Sequence, residues 1–390
     1  MRKALSLFFI FYIMIISAQG KRFFETGQVE LKKPVEKINL RYANELAFVQ
    51  VNINDKFYNF LLDSGAPTVI STTLYKELKL SKKYKTKVKD SQKSVQQQIF
   101  TQLPEMRVDQ VVFRNIGAMV MDLTISELGC FKIDGILGAN QMAKVFWKIN
   151  YSENSIQITK DLSNFDLTSY NTVIPFDAQP QKTPVVESNI AGKKINLTFD
   201  TGFSGSLKIQ DKLYSPEMKS GNSIETYGTN SVGAFGGAKP TEGYIFTVNK
   251  ITLGNKSFPN EIITTGNSSL IGNGFFKDFS FIMDWKNNKV YLQQIKSSPP
   301  SLESFGFGYR FIDEKPVIVY VFKDEKLPLK IGDSILSIND VSFENLNKES
   351  ACYYYINRVE SASNTIKIKV DRDGETLAFI LNKKEYIKVL

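Results

Sequence analysis

One tripeptide, written twice, limits what this chain can fold into more than any other feature. Asp63-Ser64-Gly65 and Asp200-Thr201-Gly202 each close an apolar run. The likeness extends upstream: residues 48–63 lie over 185–200 without a gap, pairing Asn52 with Asn189, Ile53 with Ile190, Lys56 with Lys193 and Asn59 with Asn196. A second block repeats downstream at nearly the same offset. There Gly135-Ile136-Leu137-Gly138 faces Ser269-Leu270-Ile271-Gly272, and residues 147–151 face 281–285. Between the blocks lies a weaker echo, Phe113-Arg114-Asn115 against Phe258-Pro259-Asn260. Shared order and spacing imply two homologous lobes, with loops of different length between common strands.

The local patterns are those of short strands. Residues 47–53 and 56–62 flank Asn54-Asp55 as a hairpin leading into Asp63, and 184–190 and 194–199 do the same around Ala191-Gly192. Each aspartate therefore emerges where a buried strand ends in a tight loop. Gly65 and Gly202 suit a loop that packs closely against its twin. Residues 68–71 and 206–209 read as the next strands, and long helices are scarce. The expected fold class is mainly β.

Composition narrows the chemistry by exclusion. The 390 residues contain no histidine and only two cysteines, which removes Ser-His-Asp and Cys-His sites and the histidine-bearing zinc sites. No glycine-rich phosphate loop is present. Carboxylates remain, and neither a cofactor nor a metal is expected. The net charge of +9 raises nucleic acid as a partner. The densest basic stretch, residues 79–89, has only Tyr84 among its lysines, so it reads as a solvated loop and no nucleic-acid partner is expected. Cys130 and Cys352 fall in different expected domains and form no disulfide framework; their spacing indicates no bridge, though one is open to them.

The N-terminus reads as an address. Arg2 and Lys3 precede an apolar run over residues 5–16 that ends in Ser17-Ala18-Gln19-Gly20, the layout of a secretory signal peptide over 1–20, cleaved after Ala18 or Gly20. An uncleaved anchor is the alternative; no membrane contact beyond this segment is expected. Whether residues 21–44 form a short propeptide or join the first sheet stays open.

Two carboxyls within hydrogen-bonding distance cannot both ionise easily, so they share one proton over a range of pH. The ionised member can act as general base on a water, and the protonated member can polarise a carbonyl. Here the chain resembles the aspartic proteases of the pepsin and retropepsin type. Asp63-Ser64-Gly65-Ala66 and Asp200-Thr201-Gly202 resemble that family's Asp-Thr/Ser-Gly signature, and Ile136-Leu137-Gly138 and Leu270-Ile271-Gly272 resemble the apolar-apolar-glycine element beneath each catalytic loop. The resemblance covers about residues 29–295. It implies a bilobal double β-barrel, Asp63 and Asp200 as the catalytic pair, and a supporting role for Ser64, Gly65, Thr201 and Gly202, with Ser64 and Thr201 bonding the loops across the lobes.

The chain also departs from that pattern. Ala66 and Phe203 stand where the family often carries a hydroxyl that bonds an outer carboxylate oxygen. Unless Ser204 substitutes, fewer donors imply a less acidic working range. The segments expected to cover substrate are 91–103 in the first lobe and 220–243 in the second, with Tyr227 and Phe235 as covering aromatics.

After a Ser/Pro-rich linker at 297–301, the last residues resemble a PDZ domain. Phe305-Gly306-Phe307-Gly308 resembles its carboxylate loop, Gly332-Asp333-Ser334-Ile335-Leu336-Ser337-Ile338-Asn339 its second landmark, and 353–358 the helix bordering its groove. The expected organisation is a first lobe over 29–165, a second over 170–296 and a small α+β domain over 302–390. The implied activity is an aspartic-type endopeptidase acting as a monomer on peptide or protein, with a peptide C-terminus as a further partner of the PDZ-like domain. The alternative is an exported, catalytically inactive peptide-binding protein of the same fold.

Overall fold

The structure, a computed structural model, describes residues 23–90, 94–124, 126–229, 233, 235, 240–297 and 299–388. The segment read as a signal peptide therefore lies outside the described residues. In the first lobe, strands β1 (Leu46–Ile53) and β2 (Lys56–Asp63) form the expected hairpin. Asn54 and Asp55 take its turn with φ of 52° and 61°, a left-handed conformation that short polar side chains tolerate best. The lobe continues with β3 (Val69–Ser71), β4 (Lys82–Lys89), β5 (Val95–Val108), β6 (Val111–Met121) and β7 (Gly135–Gly138). Strand β7 lies between β2 and β3, parallel to β2 with Gly138 beside Asp63, and antiparallel to β3 with Ile136 beside Val69.

The second lobe repeats this plan. Strands β8 (Pro184–Ile190) and β9 (Lys193–Asp200) form its hairpin around Ala191 and Gly192, again at positive φ. After β10 (Leu207–Gln210), β11 (Ser223–Gly228), β12 (Thr241–Leu253) and β13 (Lys256–Gly266), strand β14 (Leu270–Gly272) lies between β9 and β10 with Gly272 beside Asp200. The downstream repeat blocks meet each other directly. Strand Phe146–Asn150 runs antiparallel to Phe279–Asp284, with Trp147 opposite Met283 and Ile149 opposite Phe281, so the two copies pair across the centre of an interlobe sheet. Val35–Asn39 pairs into that sheet through Ser155–Thr159, and Gln28–Glu30 pairs with β6. From residue 28 onward, the segment whose role was open thus belongs to the fold. One apolar core, including Phe60, Leu62, Trp147, Phe199 and Phe281, runs through both lobes.

The lysine-rich stretch is a correction. Residues 82–89 are strand, not loop, because they pair with β5 and alternate: Tyr84, Thr86 and Val88 turn inward while Lys83, Lys85 and Lys87 stay exposed. The two-residue period overrides the weak strand preference of lysine.

The C-terminal unit is α+β with its own core around Tyr309, Ile318, Ile335, Ile338, Ile366 and Ile368. Its first strand, Ser301–Ser304, pairs with its last, Lys384–Lys388. Strands β15 (Phe307–Ile312) and β16 (Lys315–Phe322) follow the first, and its helix Lys348–Ile356 starts at an Asn347 and Ser350 capping box. The Asp of the Gly332-Asp333 motif is buried and holds the Arg372 guanidinium through two bonds of 2.7 Å. This unit joins both lobes. Strand β16 pairs with β11 of the second lobe, Tyr227 opposite Val321. Its helix packs on the first-lobe segment Ser126–Phe131, and Cys352 is bonded to Cys130 there across 222 residues of sequence. The bridge that the cysteine spacing did not indicate is therefore present, because packing rather than sequence distance brings the two thiols together.

Candidate active site

Each aspartate is placed by three strands. The hairpin carries it to the end of β2 or β9, and the flanking β7 or β14 holds that end in place. In both lobes the residue after the apolar-apolar-glycine triplet donates its backbone N–H to the fourth motif residue: Ala139 to the Ala66 carbonyl and Asn273 to the Phe203 carbonyl, each at 2.8 Å. A side chain at Gly138 or Gly272 would fall within about 2.4 Å of Pro67 or Phe203 backbone. Only glycine lets the triplet pass beneath the loop.

The loops are cross-bonded. The Ser64 N–H donates to Thr201 Oγ1 at 2.9 Å and the Thr201 N–H to Ser64 Oγ at 3.0 Å. Ser64 Oγ donates to the Phe199 carbonyl at 2.7 Å, and Thr201 Oγ1 to the Leu62 carbonyl at 3.0 Å. These four bonds are buried. Each contributes about 1 kcal/mol net, and losing one partner costs about 1–3 kcal/mol because the other is stranded away from water.

Asp63 and Asp200 are fully buried, with their carboxyls within hydrogen-bonding reach of each other. Each inner oxygen accepts the N–H of its own glycine, Gly65 at 2.7 Å and Gly202 at 2.8 Å. Each glycine also faces the opposite carboxyl: a Cβ on Gly65 would lie 2.5 Å from Asp200 Cγ, and one on Gly202 2.3 Å from Asp63 Cγ. Asp63 Oδ2 and Asp200 Oδ2 accept no well-formed hydrogen bond among the described residues, and neither Ala66 nor Phe203 brings a hydroxyl; only their backbone N–H groups approach closely enough to favour the ionised carboxyls. Burial, only partly offset by the Gly65 N–H, pushes the Asp63 carboxyl up. The same burial, followed by the charge of Asp63, holds Asp200 well above the ordinary carboxylate range. A pair in this state keeps one proton toward neutral pH.

The segments expected to cover substrate meet each other. Strands β4 and β5 form the first-lobe hairpin, although its tip, 91–93, lies outside the described residues. Strands β11 and β12 form the counterpart in the second lobe. Phe235, between them, donates its N–H to Asp90 Oδ2 at 3.0 Å. Its ring joins a first-lobe apolar cluster that includes Ala66, Phe48, Phe131 and Tyr355. Tyr227 instead lies 41% exposed.

The carboxylate-loop residues lie away from the aspartates, in the C-terminal unit. Phe305 is buried. Gly306, at φ 84°, donates its N–H to Ser304 Oγ and accepts from the Phe322 N–H, while Phe307 and Gly308 begin β15. On β15 the Tyr309 carbonyl accepts from Arg358 Nη1 at 3.1 Å, and the guanidinium stacks between the Tyr309 and Tyr355 rings.

Sequence reasoning missed Asn273. Its Nδ2 donates to the Thr201 carbonyl at 2.7 Å and to the Glu45 carbonyl at 2.8 Å, and its Oδ1 accepts from Tyr151 Oη at 2.7 Å. It thereby ties the second catalytic-type loop to the first lobe. A polar residue directly after the Leu270-Ile271-Gly272 triplet, where the first lobe has Ala139, was the available signal. Lys208 was missed as well. It is buried on β10 and takes the register position of Val69, opposite Leu270 and Thr264 where Val69 faces Ile136 and Met119.

The aspartyl protease family profile matches residues 49–141, a stretch containing Asp63 and the first apolar-apolar-glycine triplet. No curated protein matches the chain. Among solved structures, the basic 7S globulin of soybean is similar over 67% of this chain and 95% of its own, at 10% identity and a TM-score of 0.40. The family match and the paired loops together describe an aspartic-protease-like fold. Among the described residues no cluster of three or more His, Cys, Asp or Glu side chains could hold a metal ion.

Proposed function

We propose that this protein is an aspartic-type endopeptidase in which Asp63 and Asp200 activate a water on a peptide carbonyl. The observation that carries this reading is the pair of buried carboxyls, one from each lobe, held in mutual reach by the Ser64 and Thr201 cross-bonds. The ionised carboxyl takes a proton from the water as its oxygen adds to the carbonyl carbon. The neutral carboxyl gives its proton to the carbonyl oxygen. The resulting gem-diol collapses as the C–N bond breaks and a proton passes to the leaving nitrogen. No covalent enzyme intermediate is required. One chain supplies both carboxyls, which favours a monomer.

Export remains part of the proposal, on the N-terminal address and on the Cys130–Cys352 bond, since such bonds persist mainly in oxidising compartments. The C-terminal unit is read as a PDZ-like module. A peptide C-terminus bound along β15 has two competitors already in place, the Ser304 hydroxyl on the Gly306 amide and Arg358 on the Tyr309 carbonyl.

The test is cleavage of a mixed peptide library by the purified protein and by Asp63→Asn and Asp200→Asn. Each variant should lose about 10²–10⁴-fold in rate with its circular dichroism unchanged. Equal cleavage by wild type and variants removes the dyad. Peptide affinity without cleavage in any form establishes the alternative, an inactive peptide-binding protein.

A further inference from the structure

The C-terminal unit is fastened to the two lobes by different means. To the second lobe it is joined by backbone pairing: Thr226, Tyr227 and Gly228 lie opposite Phe322, Val321 and Tyr320. The Thr229 N–H donates to the Val319 carbonyl at 2.7 Å and the Lys323 N–H to the Glu225 carbonyl at 2.8 Å. Ile245, Tyr320 and Phe322 close a small apolar cluster under this joint. To the first lobe it is joined by one covalent bond, Cys130–Cys352, and by packing. The Tyr355 ring stands edge-on to Phe131 at 6.3 Å, Phe131 stacks on Phe48 at 5.6 Å, and Phe48 lies opposite Leu61 on the strand that ends in Asp63. Phe311 and Ile356 also rest on this first-lobe cluster.

These joints bear on access to the carboxyls. The hairpins read as covering segments belong to the lobes the unit connects: β11 of the second-lobe hairpin is the strand it extends, and Phe235, after it, lies in one cluster with Ala66 beside the buried Asp63 loop. The first-lobe hairpin is held to the second-lobe loop by Asp90 and the Phe235 N–H. Phe235 and Tyr355 share one apolar cluster. While the unit is tied to both lobes, the lobes cannot separate without breaking the pairing with β16, the ring contacts or the disulfide. Only the disulfide can be opened and remade by chemistry, and neither cysteine is fully buried.

We propose that the Cys130–Cys352 bond is a thiol-reversible latch that holds the C-terminal unit across both lobes and keeps the cleft over Asp63 and Asp200 closed. The proposal rests on the protease reading for its consequence, namely faster cleavage when the latch is open. A dithiol supplies the two electrons and two protons. The Cys130–Cys352 S–S bond breaks, each sulfur gains a proton, and the dithiol leaves as a cyclic disulfide. The freed helix then keeps only its packing on the first lobe, while the pairing of β16 with β11 retains the unit on the second.

The full chain is compared in three forms: oxidised, treated with dithiothreitol, and as Cys130→Ser/Cys352→Ser. Amide hydrogen exchange is read over residues 82–108 and 348–356, and cleavage is read on a carboxymethylated, unfolded protein. Opening the latch should speed exchange in both segments roughly tenfold and cleavage roughly fivefold, equally in the reduced and doubly substituted forms, with no further effect of dithiothreitol on the latter. Unchanged exchange in a reduced protein that keeps its near-ultraviolet dichroism overturns the latch, whatever the cleavage rate. Faster exchange with no cleavage in any form leaves the latch standing and removes the protease. Should the double variant fail to fold, exchange in the reduced native chain decides.

Discussion

The two lobes share one skeleton and line it differently. Both present an aspartate at the end of a hairpin, both insert an apolar-apolar-glycine strand beside it, and both receive the same backbone bond at the fourth motif residue. Around that frame the first lobe is apolar, with Ala66, Val69, Met119 and Ile136 in one cluster. The second lobe places Phe203 with Leu270, then Lys208 and Thr264. Positions that set the carboxyls against each other have kept their residue types between the copies, while those that face outward from the frame have diverged. A steric constraint from a neighbouring backbone allows few residues, whereas a cluster lining allows many of similar volume.

The sharpest way to break this comparison is at the glycines. Gly65→Ala and Gly202→Ala each put a methyl on the opposite carboxyl, so both should lower activity by about 10²–10³-fold, as misplacement at a reacting centre does. Steady-state cleavage of one peptide checks this. A large loss in only one variant breaks the equivalence of the lobes.

A second contrast lies in the lining. Phe203→Ala should cost about 3–5 kcal/mol in urea unfolding, while Ala66→Gly should cost about 1 kcal/mol. Similar costs at the two sites contradict the contrast drawn between the lobes.

A third difference between the lobes depends on pH. Burial lowers the Lys208 ammonium to about 7, with Asp211 opposing it. Between that value and the ordinary lysine range the unfolded chain binds the extra proton, so wild-type stability rises with pH through this window. Lys208→Met should therefore be more stable than wild type at pH 6, with the gap closing toward pH 10; thermal melts across that range decide it. A gap that widens with pH reverses the sign of the argument.

Much of the site was legible in the sequence. Asp63, Asp200 and their glycines stood out because a duplicated strand-loop unit repeats at a nearly constant interval, and local alternation located both hairpins to within a residue or two. The reading failed where neighbours come from far along the chain. The lysines of β4 read as loop until their pairing with β5 set the alternation. Phe235 was a candidate cover, but its seat in the first-lobe cluster depends on the way the lobes close. Lys208 carried no sign of burial, because a single lysine in a short apolar run has no periodicity of its own. Asn273 gave only the faint signal of a polar residue after an apolar triplet.

By itself, then, the chain's order of residues determined the repeated frame and the two carboxyls it carries. Those features follow from local pattern, turn chemistry and the intolerance of close backbone contacts for any side chain but hydrogen. Tertiary structure alone decided that the two carboxyls are fully buried. It also decided that β16 extends the second-lobe sheet and that Cys130 meets Cys352. Such contacts arise from the docking of finished surfaces, and the residues that make them are chosen by shape and burial rather than by spacing along the chain.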